Sequence, residues 1–107
     1  MLKRFHDRTT RWMSAEERGW LQNALFLDAV NIRSFRAMLG DAEEAVVAFR
    51  WFEQEASVRD TTGSSFRVRE YLRSRLLDYL QASDPDRFDE LQNRANGVGD
   101  LAQADAR

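Results

Sequence analysis

The sequence predicts a mostly α fold with a small β-hairpin, arranged as a winged helix-turn-helix with an N-terminal helical arm and an extra C-terminal helix. Three observations predict it. Apolar residues recur at helical spacing in several separate stretches, most of them opened by a residue that caps helices. A polar segment carrying Val58, Phe66 and Val68 in alternation interrupts them, with Gly63 between its halves. The resulting order is helices, a two-stranded ribbon, then helices, which is how a helix-turn-helix is followed by its wing.

Residues 2 to 12 read as a short basic helix, with Leu2, Phe5 and Trp12 on a rough common face and Lys3, Arg4, Arg8 and Arg11 in water. It is expected to pack as an arm rather than lie on a membrane, because few apolar residues are available for insertion. Ser14-Ala-Glu-Glu17 is a capping box: the hydroxyl accepts from the Glu17 N–H and the Glu17 side chain reaches back. The helix behind it carries Trp20, Leu21, Ala24, Leu25, Leu27 and, at its limit, Val30. Asn31 caps a short helix with Ile32, Phe35, Met38 and Leu39 inside, and Gly40 ends it because glycine takes positive φ at low cost.

Asp41 caps a helix that runs to about residue 55. Ala42, Ala45, Val46, Phe49 and Phe52 form its expected core face, with Val47 and Trp51 off it. Asp60-Thr-Thr-Gly63 is the expected turn of the ribbon. A helix from 69 to about 81 carries Leu72, Leu76, Tyr79 and Leu80. Asp84-Pro85 restarts the chain as N-cap and first helical residue. The last helix, 85 to about 95, offers Phe88, Leu91 and Ala95, and Asn96-Gly97 is expected to stop it. The expected organisation is an arm at 1–13, a winged-helix domain at 14–96 and a flexible tail at 97–107.

The 107 residues suffice for one domain, and 43% apolar residues suffice for a small core. The formal charge is -2, whereas a dedicated nucleic-acid binder more often carries a basic surplus. The absence of cysteine excludes a disulfide framework and a thiolate metal site, and fits a reducing compartment, with the cytoplasm as the default. No apolar run approaches bilayer length, and the basic N-terminus lacks the apolar segment of a secretory signal. No catalytic constellation is visible. His6 stands alone in the arm. The carboxylates of Asp41, Glu43, Glu44, Asp84 and Asp86 sit at helix starts, where they cap and complement the dipole. The glycines are isolated and no calcium-loop spacing occurs. The expectation is no enzyme, no cofactor and no metal.

Arg59, Arg67, Arg69 and Arg73 are the candidates for nucleic-acid contact, grouped on the wing and the start of the next helix. The helix that would enter the groove argues against that use. Residues 41 to 55 hold five carboxylates against Arg50 alone, and only Arg50 and Gln54 are of base-reading type. A protein-facing surface fits better, and Arg50, Trp51, Arg59 and Arg69 are its candidate contacts, since an aromatic beside an arginine is common interface chemistry.

Four stretches match a known pattern: Ser14-Ala-Glu-Glu-Arg18 with Trp20-Leu21, Met38-Leu-Gly-Asp41, Phe66-Arg-Val-Arg-Glu-Tyr-Leu-Arg73, and Asp84-Pro-Asp-Arg-Phe-Asp-Glu-Leu91. Across residues 12 to 96 the chain resembles the winged-helix domain that follows the nucleotide-binding module of bacterial STAND signalling ATPases. It departs from that family at Arg69 and Gln92, where histidines are common; the first can sense nucleotide phosphates. The resemblance implies a non-enzymatic interaction or regulatory module, docked on an adjacent domain or another protein. No Walker-type loop is present, so the chain would not hydrolyse nucleotide alone, whether as an excised domain or a free-standing relative. The alternatives are a small winged-helix transcription regulator using wing and arm on DNA, and an all-helical adaptor or phage-type inhibitor with 57–68 as a loop. The oligomeric state is open.

In the ribbon reading, backbone chemical shifts at Val58 and residues 66–68 are those of extended chain; helical or coil values there would favour the all-helical alternative.

Overall fold

The structure, a computed structural model, describes residues 2–62 and 65–105, without the side chains of residues 2, 62, 65 and 99–105. The described order is α1 (Leu2–Thr10), α2 (Ala15–Ala24), α3 (Ile32–Leu39), α4 (Ala42–Gln54), β1 (Arg59–Thr62), β2 (Ser65–Val68), α5 (Glu70–Ser83) and α6 (Pro85–Asp105). It is mostly helical with one antiparallel hairpin, in a winged-helix-like arrangement.

The helix starts follow their capping chemistry. Ser14 and Asn31 each form a complete capping box, with Glu17 and Ser34 respectively. Asp41 accepts from the N–H groups of Glu43 and Glu44. Asp84 accepts from the Arg87 N–H at 3.2 Å, with Pro85 as the first helical residue. At the end of α3, Gly40 takes φ 81°, the left-handed conformation that lets the chain turn directly into α4.

The core lies where α2, α3, α4, α5 and α6 meet the foot of the hairpin. Phe35 and Phe52 are fully buried and meet edge-on, with ring centroids 6.2 Å apart at 79°. Met38, Val58, Val68, Leu76 and Leu91 close around them. The buried positions of α4 are Ala45, Ala48 and Phe52, so the inner face is rotated from the expected one. Ala42 is exposed, and Val46 and Phe49 are half-buried. Two alanines at the centre let α4 approach its neighbours closely, and that close approach selects the face.

Several other boundaries differ from expectation. The first helix ends at Thr10, so Trp12 falls in the turn and is 54% exposed instead of sharing the inner face with Phe5. The second ends at Ala24. Leu25, Leu27 and Val30 are still buried, but in a non-helical run. Val30 there forms an antiparallel bridge with Phe66, its N–H donating to the Phe66 carbonyl at 2.8 Å. This bridge gives the ribbon a third lane, one residue long, between α2 and α3. The hairpin pairs Arg59 with Val68 and Thr62 with Ser65, so Asp60, Thr61 and Thr62 are strand and not turn. Gly63 lies outside the described residues.

The expected stop at Asn96-Gly97 does not occur. The final helix continues through it to Asp105, because neither residue adopts the left-handed conformation a stop would use. Phe88, Leu91, Ala95 and Val98 follow one another at helical spacing, and all pack into or against the core. That packing offsets the roughly 1 kcal/mol that glycine costs inside a helix. Arg94 adds a tie, donating to the Met38 carbonyl at 3.2 Å and to Glu90 at 2.6 Å.

The two glycines therefore respond oppositely to alanine. Gly97→Ala, in open space within α6, is expected to raise stability by about 0.5–1 kcal/mol. Gly40→Ala, forced to positive φ, is expected to lower it by about 1–2 kcal/mol. Urea denaturation followed by circular dichroism reads both.

Candidate functional site: the outer face of α4 and the wing

With Ala45, Ala48 and Phe52 turned inward, α4 exposes Glu43, Glu44, Val47, Arg50, Glu53 and Gln54. Part of this face is already engaged. Glu44 accepts from the Trp20 indole N–H at 3.1 Å, which ties the start of α4 to α2. Val47 is 55% exposed in the middle of the face. It is the apolar residue this surface offers, and no neighbour covers it fully.

Trp51, a candidate contact by sequence, occupies a different place. Its ring lies 5.9 Å from that of Trp20 and 6.3 Å from that of Phe52, and it is half-buried against the core. Its indole N–H is buried without a hydrogen-bond partner among the described residues. Trp51 thus extends the core towards α2. Arg50 is exposed on the same helix. The exposed apolar residue of this face is Val47, which was not among the candidate contacts. Its signal was its place off the core face.

The hairpin sits beside the end of α4. Arg59 is folded back on it, donating from Nε to the Glu53 carbonyl and from Nη1 to Thr61 Oγ1 at 3.1 Å. Its guanidinium also lies 5.2 Å over the Phe66 ring. Arg69, at the foot of the wing, is exposed and donates to the Ala56 carbonyl at 3.1 Å. Arg67 is half-buried, and its Nε has no partner among the described residues. Arg73 points elsewhere: Nε donates to the Leu25 carbonyl at 2.8 Å, and Nη1 lies 3.3 Å from Asp28 and 3.9 Å from Glu70. It closes the end of α2, where the carbonyls lose their helical partners. The four wing arginines therefore do not converge on one cationic patch. Three of them satisfy backbone carbonyls of the domain itself.

His6, which stands alone in the arm by sequence, is half-buried. Its ring stacks on Tyr79 with centroids 4.3 Å apart, and Nδ1 lies 3.3 Å from Asp7. Among the described residues no group of three or more His, Asp or Glu side chains is placed to hold a metal ion. No helix among them is long and apolar enough to cross a membrane.

Comparison with family models, with curated proteins and with solved structures finds no match for this chain.

Half-buried Arg73 and exposed Arg69 separate on substitution. Arg73→Ala removes a charged donor from a buried carbonyl and is expected to cost about 1–2 kcal/mol. Arg69→Ala is expected to stay within about 0.5 kcal/mol of the parent. Denaturant midpoints of the two variants, compared at equal slope, test this.

Proposed function

We propose that this chain is a non-enzymatic winged-helix interaction or regulatory module that meets a protein partner through the outer face of α4 and the adjoining wing. The observation that carries the reading is the make-up of that face: an exposed Val47 with Glu43, Glu44, Arg50 and Gln54 as exposed neighbours along the helix, and Glu53 exposed further round it. In a DNA groove those carboxylates would face phosphates. Against a protein, Val47 offers an apolar contact and the charges form a polar rim, with Arg50 as the cation suited to a carboxylate partner. Arg59 supports the reading indirectly, since its guanidinium is committed to the Glu53 carbonyl and the Phe66 ring instead of reaching outward. Arg69 remains an exposed contact at the edge of the wing.

The resemblance to STAND winged-helix domains supports the same reading from a second direction. In that setting the partner is an adjacent nucleotide-binding domain, and Arg69 approaches it in place of the family's histidine. A cytoplasmic location accompanies this proposal.

The test is a photo-crosslinking residue at position 47, introduced into the protein in its native host. A discrete protein adduct, lost when Glu43→Lys and Arg50→Glu are combined, is the expected result. The competing reading, a transcription regulator, is checked by gel retardation with duplex DNA at low salt. Salt-sensitive retardation abolished by Arg67→Gln with Arg69→Gln would replace the protein-interaction reading.

A further inference from the structure

The second unusual surface is on α1. Lys3, Arg4, Arg8 and Arg11 are all exposed and occupy one side of the arm. None of them makes an ion pair among the described residues, whereas Arg73, Arg87 and Arg94 all do. Asp7 is the one carboxylate on that side, and its Oδ1 is turned to the His6 imidazole at 3.3 Å. Lys3, Arg4 and Arg8 on the helix and Arg11 in the turn behind it are like charges close together in the chain and repel one another, so the arm keeps this face at a cost. An anionic partner relieves it.

The opposite side of α1 identifies the kind of anion. Phe5 meets Tyr71 edge-on at 5.8 Å, His6 stacks on Tyr79, and Thr10 is buried. The apolar side is therefore spent on α5, and no apolar stripe remains for a bilayer. The cationic face also lacks the aliphatic centre that a protein interface needs. What it has instead is exposed aromatic surface at its margins: Trp12 at 54% and Tyr71 at 62%. Beside Tyr71, the Arg75 guanidinium lies 4.7 Å over that ring and 5.4 Å over Phe5. Cations that track a backbone, flanked by aromatic rings and a stacked arginine, match the way unpaired bases and their phosphates are held. Glu70 and Asp78 lie beside Tyr71 and Arg75 and limit the anion to the α1 side of that pair.

We propose that the outer face of α1, with Trp12 and the Tyr71–Arg75 pair at its edges, binds single-stranded nucleic acid. The surface is separate from the α4 face, and neither proposal depends on the other.

Fluorescence anisotropy with a labelled twenty-nucleotide oligothymidine tests it on the intact chain. With four phosphate contacts, affinity is expected to fall about fifty-fold between 50 and 200 mM salt. Arg4→Glu with Arg8→Glu is expected to abolish binding, Arg4→Gln with Arg8→Gln to weaken it at least tenfold, and Arg67→Gln with Arg69→Gln to leave it unchanged. Trp12→Ala is expected to weaken it roughly tenfold, as loss of one stacked base does. The three substituted positions of the arm and turn, Arg4, Arg8 and Trp12, are exposed, and circular dichroism checks that each variant keeps its fold. No binding at 50 mM salt overturns the proposal. So does binding that survives charge reversal on α1, tighter binding of a twenty-base-pair duplex, or binding to vesicles with 30% phosphatidylserine but not to the oligonucleotide.

Discussion

The junction of Gly40 and Asp41 is the constraint from which the rest follows. Gly40 turns the chain through a left-handed residue, and Asp41 at once caps the next helix with its carboxylate. With no spare residue between them, the crossing of α3 and α4 is set locally. That crossing brings Phe52 under Phe35 and leaves only alanine-sized side chains at the closest approach. Once that face is inside, Glu43, Val47 and Arg50 have to be outside. The outer surface of α4 is thus a by-product of how tightly one turn is made, and Asp41, which begins that turn, caps the helix through the N–H groups of Glu43 and Glu44.

The arginines show how a structure consumes charge that a sequence seems to offer. Arg59, Arg69 and Arg73 each donate to a backbone carbonyl. Those carbonyls belong to Glu53 near the end of α4, Ala56 in the following turn and Leu25 at the end of α2. Guanidinium is suited to this role, because it presents several fixed donors and keeps its charge. On α1 the same residue type does no such work, since a helix with its own hydrogen bonds complete has few carbonyls to spare. The two populations of arginine differ in surroundings, not in sequence context.

Much of the fold was legible. Ser14, Asn31, Asp41 and Asp84 announced four helix starts because capping is a local interaction between residues a turn apart, and Gly40 announced an end for the same reason. What was not legible depended on distant partners. Val30 looked like the last turn of a helix and became a strand bridge because Phe66 supplies a carbonyl to it. Asn96-Gly97 looked like a stop, yet Val98 has apolar partners that carry the helix on. The outer face of α4 was half legible: its charge could be read from residues 41 to 55, but the rotation of the helix leaves Val47 exposed and Trp51 half-buried.

The packing of Phe5 and His6 on α5 has a dynamic consequence. The arm rests chiefly on α5, through Phe5 and His6. Its undocking is a local opening that leaves the contacts of α2, α3, α4, α5 and α6 with one another in place. A ligand that bridges Arg4 or Arg8 on the arm and Arg75 on α5 binds only the docked form. By linkage it holds the arm down as tightly as it binds, so occupancy of the surface and order of the first helix rise and fall together.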